Sequence, residues 1–379
     1  MDELTPTARW TVTQPWRGLF GIIVTLGLSF TITAIFDIAS FNGIVGIFAM
    51  SCVPIQVIMG MVWGGQYPPM WEKANQAWRG LALTVFMGAV GILAAFALIN
   101  FRGAGVVQPF VAISLILTIV TIFWLVIAFG TWPWHKMSLP AKGMLTLVTA
   151  YLLGWGLSHL FNFDLLSYPT GVKPSPIGAV PFYAEGGPLA VFGAIAPSGP
   201  VPWESAICYA FLTVIFLLTF VLLGMWPFSK FPGLMKQPLL GIVLLVTCGV
   251  LGYVAYIVGV GAMNIEPLNF MTIGISYVFG LLMIMAMFQM WPGRNFKQPA
   301  GGFVNILCSV VLGIAGYNLI MAFCNWHFGV EAMVYPDIWF AIAGVMLAIA
   351  FPLWIAYQAF FDFWPLPPTP APAQEKEGD

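Results

Sequence analysis

One stretch of the chain decides its organisation: Met290-Trp-Pro-Gly-Arg-Asn-Phe-Lys-Gln-Pro-Ala-Gly-Gly302. An apolar run ends at Trp291-Pro292, a short basic segment follows, and Gln298-Pro299 begins the next apolar run. Trp-Pro stops a helix because the residue before proline is driven out of the α region. Proline also suits a helix start, where its missing N–H would have no partner. The stretch therefore predicts a structural turn between two helices rather than a catalytic motif.

Related stretches recur along the chain at a nearly fixed interval. The Tyr/Trp-Pro pairs lie 65, 94, 65 and 73 residues apart. A fixed period with one motif per period is the signature of a repeat architecture, so we predict five tandem units of about 65 residues, the third with an insertion. The pairs begin at Tyr67, Trp132, Trp226, Trp291 and Trp364, and the glycines of the second half of the motif are Gly18, Gly80, Gly143, Gly241 and Gly302.

A second glycine follows each motif glycine after eleven residues, or after nine in the first unit. Small residues let transmembrane helices approach one another closely. We therefore expect these glycines to lie at matching depths in contacts between helices. They are Gly27, Gly91, Gly154, Gly252 and Gly313.

The composition excludes an ordinary soluble domain. Apolar residues make up 60% of the chain and charged residues 7%, whereas soluble domains carry about 25% charged residues. Backbone groups in lipid must be satisfied internally, which favours helices. We predict an all-α polytopic membrane protein with about ten transmembrane helices of bilayer-spanning length, arranged as five tandem two-helix hairpin repeats and embedded in the lipid bilayer. The predicted spans are 18–36, 43–64, 80–99, 110–130, 143–162, 203–225, 239–260, 270–290, 302–323 and 336–361.

Basic residues are concentrated on one side of this topology. Eleven of the thirteen Lys and Arg fall on the side of the Trp-Pro pairs, and only Arg102 and Lys173 fall on the other. The positive-inside rule then makes both termini cytoplasmic, and we expect the protein in the inner membrane. The predicted organisation is a cytoplasmic segment over 1–13, one transmembrane domain over 14–365 and a disordered cytoplasmic tail over 366–379.

The connection over 163–202 is rich in proline and glycine. This composition favours an ordered extracytoplasmic cap or a docking loop for a protein partner, rather than a helix. Three other outer turns, and the start of this loop, share an asparagine followed by a large apolar and then an ionisable residue. Asparagine suits helix ends, so these turns indicate either helix capping or a ring of groups around an entrance. The asparagines are Asn100, Asn162, Asn264 and Asn325.

Neutral polar residues inside the spans are the candidate binding groups, because no charged residue lies at the centre of a predicted span. Five residues after their mid-helix glycines, the third and fifth units carry His159 and Asn318, where the others carry Ile32, Phe96 and Ile257. A histidine within a span is a functional candidate, so we expect His159 and Asn318 to face a polar pocket in the outer half of the membrane. Alternatively, these groups only hydrogen-bond neighbouring helices. The accompanying candidates are Tyr151, Ser158, Tyr317 and Asn305, with Gln56, Gln108 and Gln289 as weaker ones.

Cofactor and metal signals are weak. His159 and His327 both lie toward the outer face and could ligate a haem b axially, although such ligation needs facing helices. No other cofactor is predicted. The cysteines have no CxxC or Cys/His spacing and are expected to be small apolar residues, without a metal site.

The sequence has no P-loop, GxGxxG turn, HExxH motif or Ser/His/Asp set, so we expect neither an enzyme nor a nucleic-acid-binding protein. Our preferred function is a permease that moves a small neutral or zwitterionic organic solute, since apolar walls with a few polar groups suit such a ligand. Gly-rich helices would expose backbone for binding it. The alternative is a non-transporting membrane subunit of a larger complex, which anchors partners or holds a quinone or haem pocket.

Overall fold

The computed structural model describes residues 13–71, 73–165, 182–187, 189–333 and 337–367. The expectations for the N-terminal segment, for the C-terminal tail and for the 166–181 part of the long connection lie outside these residues.

The described chain is helical, and each of ten long helices coincides with a predicted span. Nine of the helices within the described ranges are long and apolar enough to cross a membrane; α5 has the length but is not among the nine. The chain is therefore an integral, multi-pass membrane protein in contact with lipid. The helices are α1 Trp16–Thr33, α2 Ile38–Val62, α3 Gln76–Arg102, α4 Pro109–Ala128, α5 Leu139–Ser158, α6 Trp203–Leu222, α7 Leu239–Ala262, α8 Pro267–Met287, α9 Ala300–Phe328 and α10 Asp337–Phe360.

The even-numbered helices form a closed inner ring. α2 packs against α4, α4 against α6, α6 against α8, α8 against α10, and α10 returns to α2. Between 50% and 67% of the apolar window of each of these helices is buried inside the protein, against 22% to 39% for α1, α3, α7 and α9. The odd-numbered helices thus form an outer layer that faces lipid, as their exposed apolar side chains require.

Each outer helix packs mainly against the inner helix that precedes it in the chain. The pairs are α2 with α3, α4 with α5, α6 with α7 and α8 with α9, and α1 packs against α10 in the same manner. The helices of the first four pairs are thus joined across a Tyr/Trp-Pro stretch, whereas α1 and α10 lie at opposite ends of the sequence. The two helices of each predicted hairpin, which share an outer turn, contact each other less. We call the end where the inner helices begin the mouth end, and the end with the Tyr/Trp-Pro pairs the motif end.

The glutamine of the repeated motif anchors four of the five outer helices at the motif end. Gln237, at the start of α7, donates a hydrogen bond from Nε2 to the carbonyl of Ala128 at the end of α4, at 2.8 Å. Gln14 makes the same bond to the Met287 carbonyl of α8 at 3.0 Å. These bonds satisfy carbonyls that helix C-termini leave without an intrahelical partner. The remaining glutamine bonds join Gln76 to the carbonyls of Phe361 and Asp362, and Gln298 to that of Leu222. At α5 the inner helix is the donor instead: Trp63 Nε1, at the end of α2, donates to the Leu139 carbonyl.

The motif glycine, one turn after the glutamine, receives a bulky group from the same inner-helix end. A Cβ added at Gly241 would overlap the ring of Phe129, and one at Gly80 would overlap the ring of Phe361. The motif therefore serves docking between helices, in agreement with its structural interpretation. The other contacts are Gly18 with Phe288, Gly143 with Trp63, and Gly302 with Leu222 and Leu223.

The second glycines lie at close helix contacts in four units. A Cβ at Gly91, Gly154 or Gly313 would overlap the backbone of the neighbouring inner helix, and Gly252 lies against Thr213. The expectation for Gly27 is wrong: this residue is exposed and has nothing near its Cβ position.

The buried counterpart in α1 is Ser29, which keeps the eleven-residue interval from Gly18. Gly27 precedes Ser29 by two residues, which corresponds to a rotation of about 200° around the helix axis. Gly27 therefore lies on the lipid-facing side of α1.

Candidate functional site

The inner ring encloses a chamber of about 380 Å³ near the mouth end. All five inner helices line it, and no outer helix does. The wall comes from α2 at 41–53, α4 at 107–123, α6 at 203–218, α8 at 268–282 and α10 at 337–351. This volume is within the usual range for small-ligand sites, roughly 300–1,000 Å³.

Most of the chamber wall is apolar, from aliphatic and aromatic side chains. Toward the motif end the lining finishes at Phe123, which lies 6.1 Å from Phe351 between ring centroids. Beyond these rings the inner ring is filled by Trp354, stacked obliquely on Phe279 at 4.5 Å, and by fully buried Gln56. In this conformation the chamber belongs to the mouth half of the bundle.

Polar groups of the chamber are gathered near the starts of four inner helices. Gln108, which is 0% exposed, precedes α4 and donates from Nε2 to the carbonyl of Gly103 at 2.8 Å. Asn42 of α2 donates from Nδ2 to the Asp337 carboxylate of α10 at 3.1 Å. Three buried polar atoms here have no hydrogen-bond partner among the described residues: Gln108 Oε1, Asn42 Oδ1 and Trp203 Nε1. Such atoms are costly to bury alone.

Aromatic rings frame the same region. Trp203, which is 2% exposed, stacks on Phe163 at 5.8 Å and on Phe340 at 6.3 Å, with interplanar angles of 8° and 12°. Phe182 of the long connection lies against Trp203 at 6.4 Å and also lines the chamber. This connection is held near the mouth by the parallel pairing of Phe161–Asn162 (β1) with Val201–Pro202 (β2). The described part of the connection thus lies at the chamber mouth, and its role as a cap or as a docking loop stays a prediction.

Acidic residues lie at the mouth end of four inner helices. Asp37 caps α2, where the Ser40 amide and hydroxyl bind its carboxylate and lower its pKa. Glu266 caps α8 through the amides of Leu268 and Asn269. The others are Glu204, which is buried in the first turn of α6, and Asp337 in the first turn of α10. Carboxylates at helix N-termini are stabilised by the helix dipole, and of the four only Asp337 lines the chamber.

The structure does not bring His159 and Asn318 together in a pocket. Both side chains are exposed on the outer layer, and each bonds to a carbonyl four residues earlier in its own helix, those of Trp155 and Ile314. Neither lines the chamber. A residue five positions after a buried glycine is rotated by about 140° from the buried face, so both point toward lipid.

The four accompanying candidates also lie outside the chamber. Asn305 is buried at the motif end, where it accepts from the Gly293 amide at 2.9 Å and donates to the Met290 carbonyl at 3.2 Å. It therefore holds the Trp-Pro turn against α9. Ser158 is buried and bonds to the Trp155 carbonyl. Tyr151 and Tyr317 are half-buried on the outer helices.

The two histidines considered for haem lie in different surroundings. His327 Nε2 is 2.8 Å from the carbonyl of Phe36 at the end of α1, and its ring stacks on Phe323. His159 lies edge-on to Trp155. No group of three or more His, Cys, Asp or Glu that could hold a metal ion occurs in the described part of the chain. Haem ligation by this pair stays a prediction without a shared site to support it.

The predicted site residues lie on or next to the odd-numbered helices, which carry the repeated motif, whereas the chamber is built by the even-numbered ones. Gln108, considered only as a weaker candidate, does line the chamber, but Asn42, Trp203 and Asp337 were missed. The available signal was the polar residue at the start of each even-numbered span, which helix capping alone also explains.

No protein-family model, curated protein or solved structure matches the chain.

Proposed function

We propose that this protein is a permease that binds a small organic solute in the chamber of the inner ring and passes it across the inner membrane. The observation that carries the proposal is the chamber itself: a cavity of ligand size, inside a closed ring of helices, with apolar walls and a few polar groups at one end. This arrangement is typical of small-molecule sites. A merely structural bundle would fill its centre with side chains, as interiors are normally close-packed.

The proposed orientation places the mouth end outside the cell and both termini in the cytoplasm. The described basic residues support it, because nine of them lie at the motif end and only Arg102 at the mouth end. Those at the motif end are Arg17, Lys73, Arg79, Lys136, Lys142, Lys230, Lys236, Arg294 and Lys297. The chamber would then be the outward-facing state of the binding site. Phe123 and Phe351 would separate it from the cytoplasmic half.

We further propose that the chain is a fivefold repeat closed into a ring. Equivalent glutamine, glycine and aromatic contacts recur around the motif end, and α1 occupies the place after α10 that α3 occupies after α2. The packing unit would be an inner helix with the outer helix that follows it. The hairpin defined by the sequence contains the same helices with a shifted boundary.

Filling the chamber tests the function directly. Gly43 lines the chamber and has nothing within 4 Å of its Cβ position. Gly43→Phe should therefore place a ring in the cavity and abolish uptake. Gly27→Phe, at an exposed glycine of α1 with similar open space, is the matched control. Cells that express each variant would be screened with a panel of radiolabelled primary amines, amino acids, betaines and polyols, and the amount of protein in the membrane would be compared by immunoblotting.

Accumulation of one solute that is lost in Gly43→Phe and retained in Gly27→Phe would support the permease. Equal uptake by both variants would contradict it. If no solute accumulates with the unmodified protein, the non-transporting membrane subunit becomes the better proposal, and purification under mild conditions should then recover its partner.

A further inference from the structure

From the chemistry of the chamber mouth, we infer that the ligand is an organic ammonium ion: an apolar body that carries a protonated primary amine. This inference rests on the proposed function only in using the same chamber, since binding can be measured without transport. Its ground is the Asp337 carboxylate in the chamber lining, together with the balance of unpaired hydrogen-bond donors and acceptors on the neighbouring lining residues.

Among the polar groups of the residues that line the chamber, acceptors outnumber donors, whereas the unpaired donors Trp339 Nε1 and Tyr183 Oη at the same end belong to residues outside the lining. The amide oxygens of Gln108 and Asn42 are buried and have no partner among the described residues. The Asp337 carboxylate adds a charged acceptor that uses one oxygen for Asn42. The lone matching donor among these groups is Trp203 Nε1. A primary ammonium supplies three donors and no acceptor, which is the complement of this set.

The orientation of both amides follows from their neighbours. The Gln108 nitrogen faces the Gly103 carbonyl, and the Asn42 nitrogen faces the carboxylate and carbonyl of Asp337. Reversing either amide would point an oxygen at another acceptor and lose the bond. The free atoms are therefore the oxygens, and the acceptor character of the mouth follows from these contacts.

Aromatic faces at the mouth favour the same charge. Rings of Phe41, Phe182 and Phe340 line the chamber, as Asp337 does. A cation over such faces is attracted by the ring quadrupole, more strongly when it is desolvated. A ligand carboxylate would instead meet acceptors and ring faces, and the two carbonyl oxygens of a quinone would find one donor.

Charge around the mouth would also draw cations toward it. The described mouth-end residues contain one arginine, Arg102, whose guanidinium lies over the Phe110 ring at 5.5 Å. The acidic residues at this end are Asp37, Asp164, Glu185, Glu204, Glu266, Glu331 and Asp337. A surplus of one sign around a low-dielectric cleft concentrates ions of the opposite sign.

Calorimetric titration of the purified full-length protein in detergent tests the inference with three probes of one shape: phenethylammonium, 2-phenylethanol and 3-phenylpropionate. Titration into empty micelles gives the background. We expect phenethylammonium to bind at least tenfold more tightly than the alcohol, and the carboxylate to bind most weakly. Absence of phenethylammonium binding, or equal affinity for the three probes, would overturn the inference.

The variant Asp337→Asn tests whether the ammonium group binds at this carboxylate. It should weaken phenethylammonium binding at least tenfold and leave the affinity for 2-phenylethanol unchanged, which also shows that the variant is folded. Asp164→Asn removes a mouth-end charge on an exposed residue outside the chamber and should change the affinity less than twofold. Equal losses in the two variants would mean nonspecific attraction and would contradict a site at Asp337. If ammonium binds at Asp337 but no solute is transported, the inference holds and the permease fails.

Discussion

The same five pairs of helices make recurring contacts at one end of the bundle and present different polar residues at the other. At the motif end each unit makes nearly the same contact, in which a glutamine or a tryptophan bonds to a carbonyl and a glycine receives a bulky group. At the mouth end the units differ: one helix offers a glutamine, another an asparagine, and others a tryptophan or an aspartate. The recurring contacts therefore belong to helix docking, and the proposed binding groups lie at the end where the units differ.

Overpacking a contact between an outer and an inner helix should have the largest effect on stability. Gly154 lies against the backbone of Thr118, which cannot move aside as a side chain could. Gly154→Leu should lower the free energy of unfolding by about 3 kcal/mol or prevent folding, as severe overpacking does.

The matched control is Gly27→Leu, on the lipid-facing side of α1, which should stay within about 0.5 kcal/mol of the unmodified protein. Thermal unfolding in detergent, followed by tryptophan fluorescence, measures both. Equal stability of the two variants would remove the distinction between buried and lipid-facing glycines.

Replacing Asn305 should have the next largest effect on the free energy of unfolding. Asn305→Ala removes two buried hydrogen bonds to the turn at Met290 and Gly293, and we expect a cost of about 2 kcal/mol from the groups left unpaired. Asn318→Ala, on the same helix but exposed, should cost less than about 0.5 kcal/mol. If ligand affinity fell in Asn305→Ala while stability did not, Asn305 would belong to a site, as the sequence predicted.

A single glutamine hydrogen bond at the motif end should contribute less to the free energy of unfolding than the two bonds of Asn305. Gln237→Ala leaves the buried Ala128 carbonyl without its 2.8 Å partner, at a cost of about 1 kcal/mol. Lys236→Ala, an exposed neighbour, is the control. Binding of phenethylammonium should be unchanged in both variants once unfolded protein is allowed for. A selective loss of binding in Gln237→Ala would show that the two ends are coupled.

Replacing His159 should have the smallest effect on both solute uptake and stability. Its imidazole bonds to its own helix and faces outward, so His159→Ala should change solute uptake less than twofold and leave the thermal midpoint nearly unchanged. Uptake in cells and unfolding in detergent would be compared with the unmodified protein. Abolished uptake with normal insertion would restore His159 as a binding group and contradict the separation of scaffold and site.

Much of the fold could be predicted from the sequence, because lipid imposes a simple rule on it. Long apolar runs bounded by Trp-Pro and Gln-Pro give the number and positions of the helices. The candidate site could not be predicted in the same way. Which helix faces inward depends on contacts between segments far apart in the chain, such as Asn42 with Asp337, and the ends of spans look alike whether they cap a helix or face a cavity.

The place of α1 in the fold has a consequence for how the protein is made. Arg17 of α1 is buried, donates to the carbonyls of Asp362 and Pro367, and lies 4.5 Å from the centre of the Phe363 ring. Every other outer helix follows its inner partner directly during synthesis. α1 is the first of the ten described helices to leave the ribosome, and its partner α10 is the last. Until α10 is made, α1 therefore lacks the inner helix against which it packs most extensively in the finished protein.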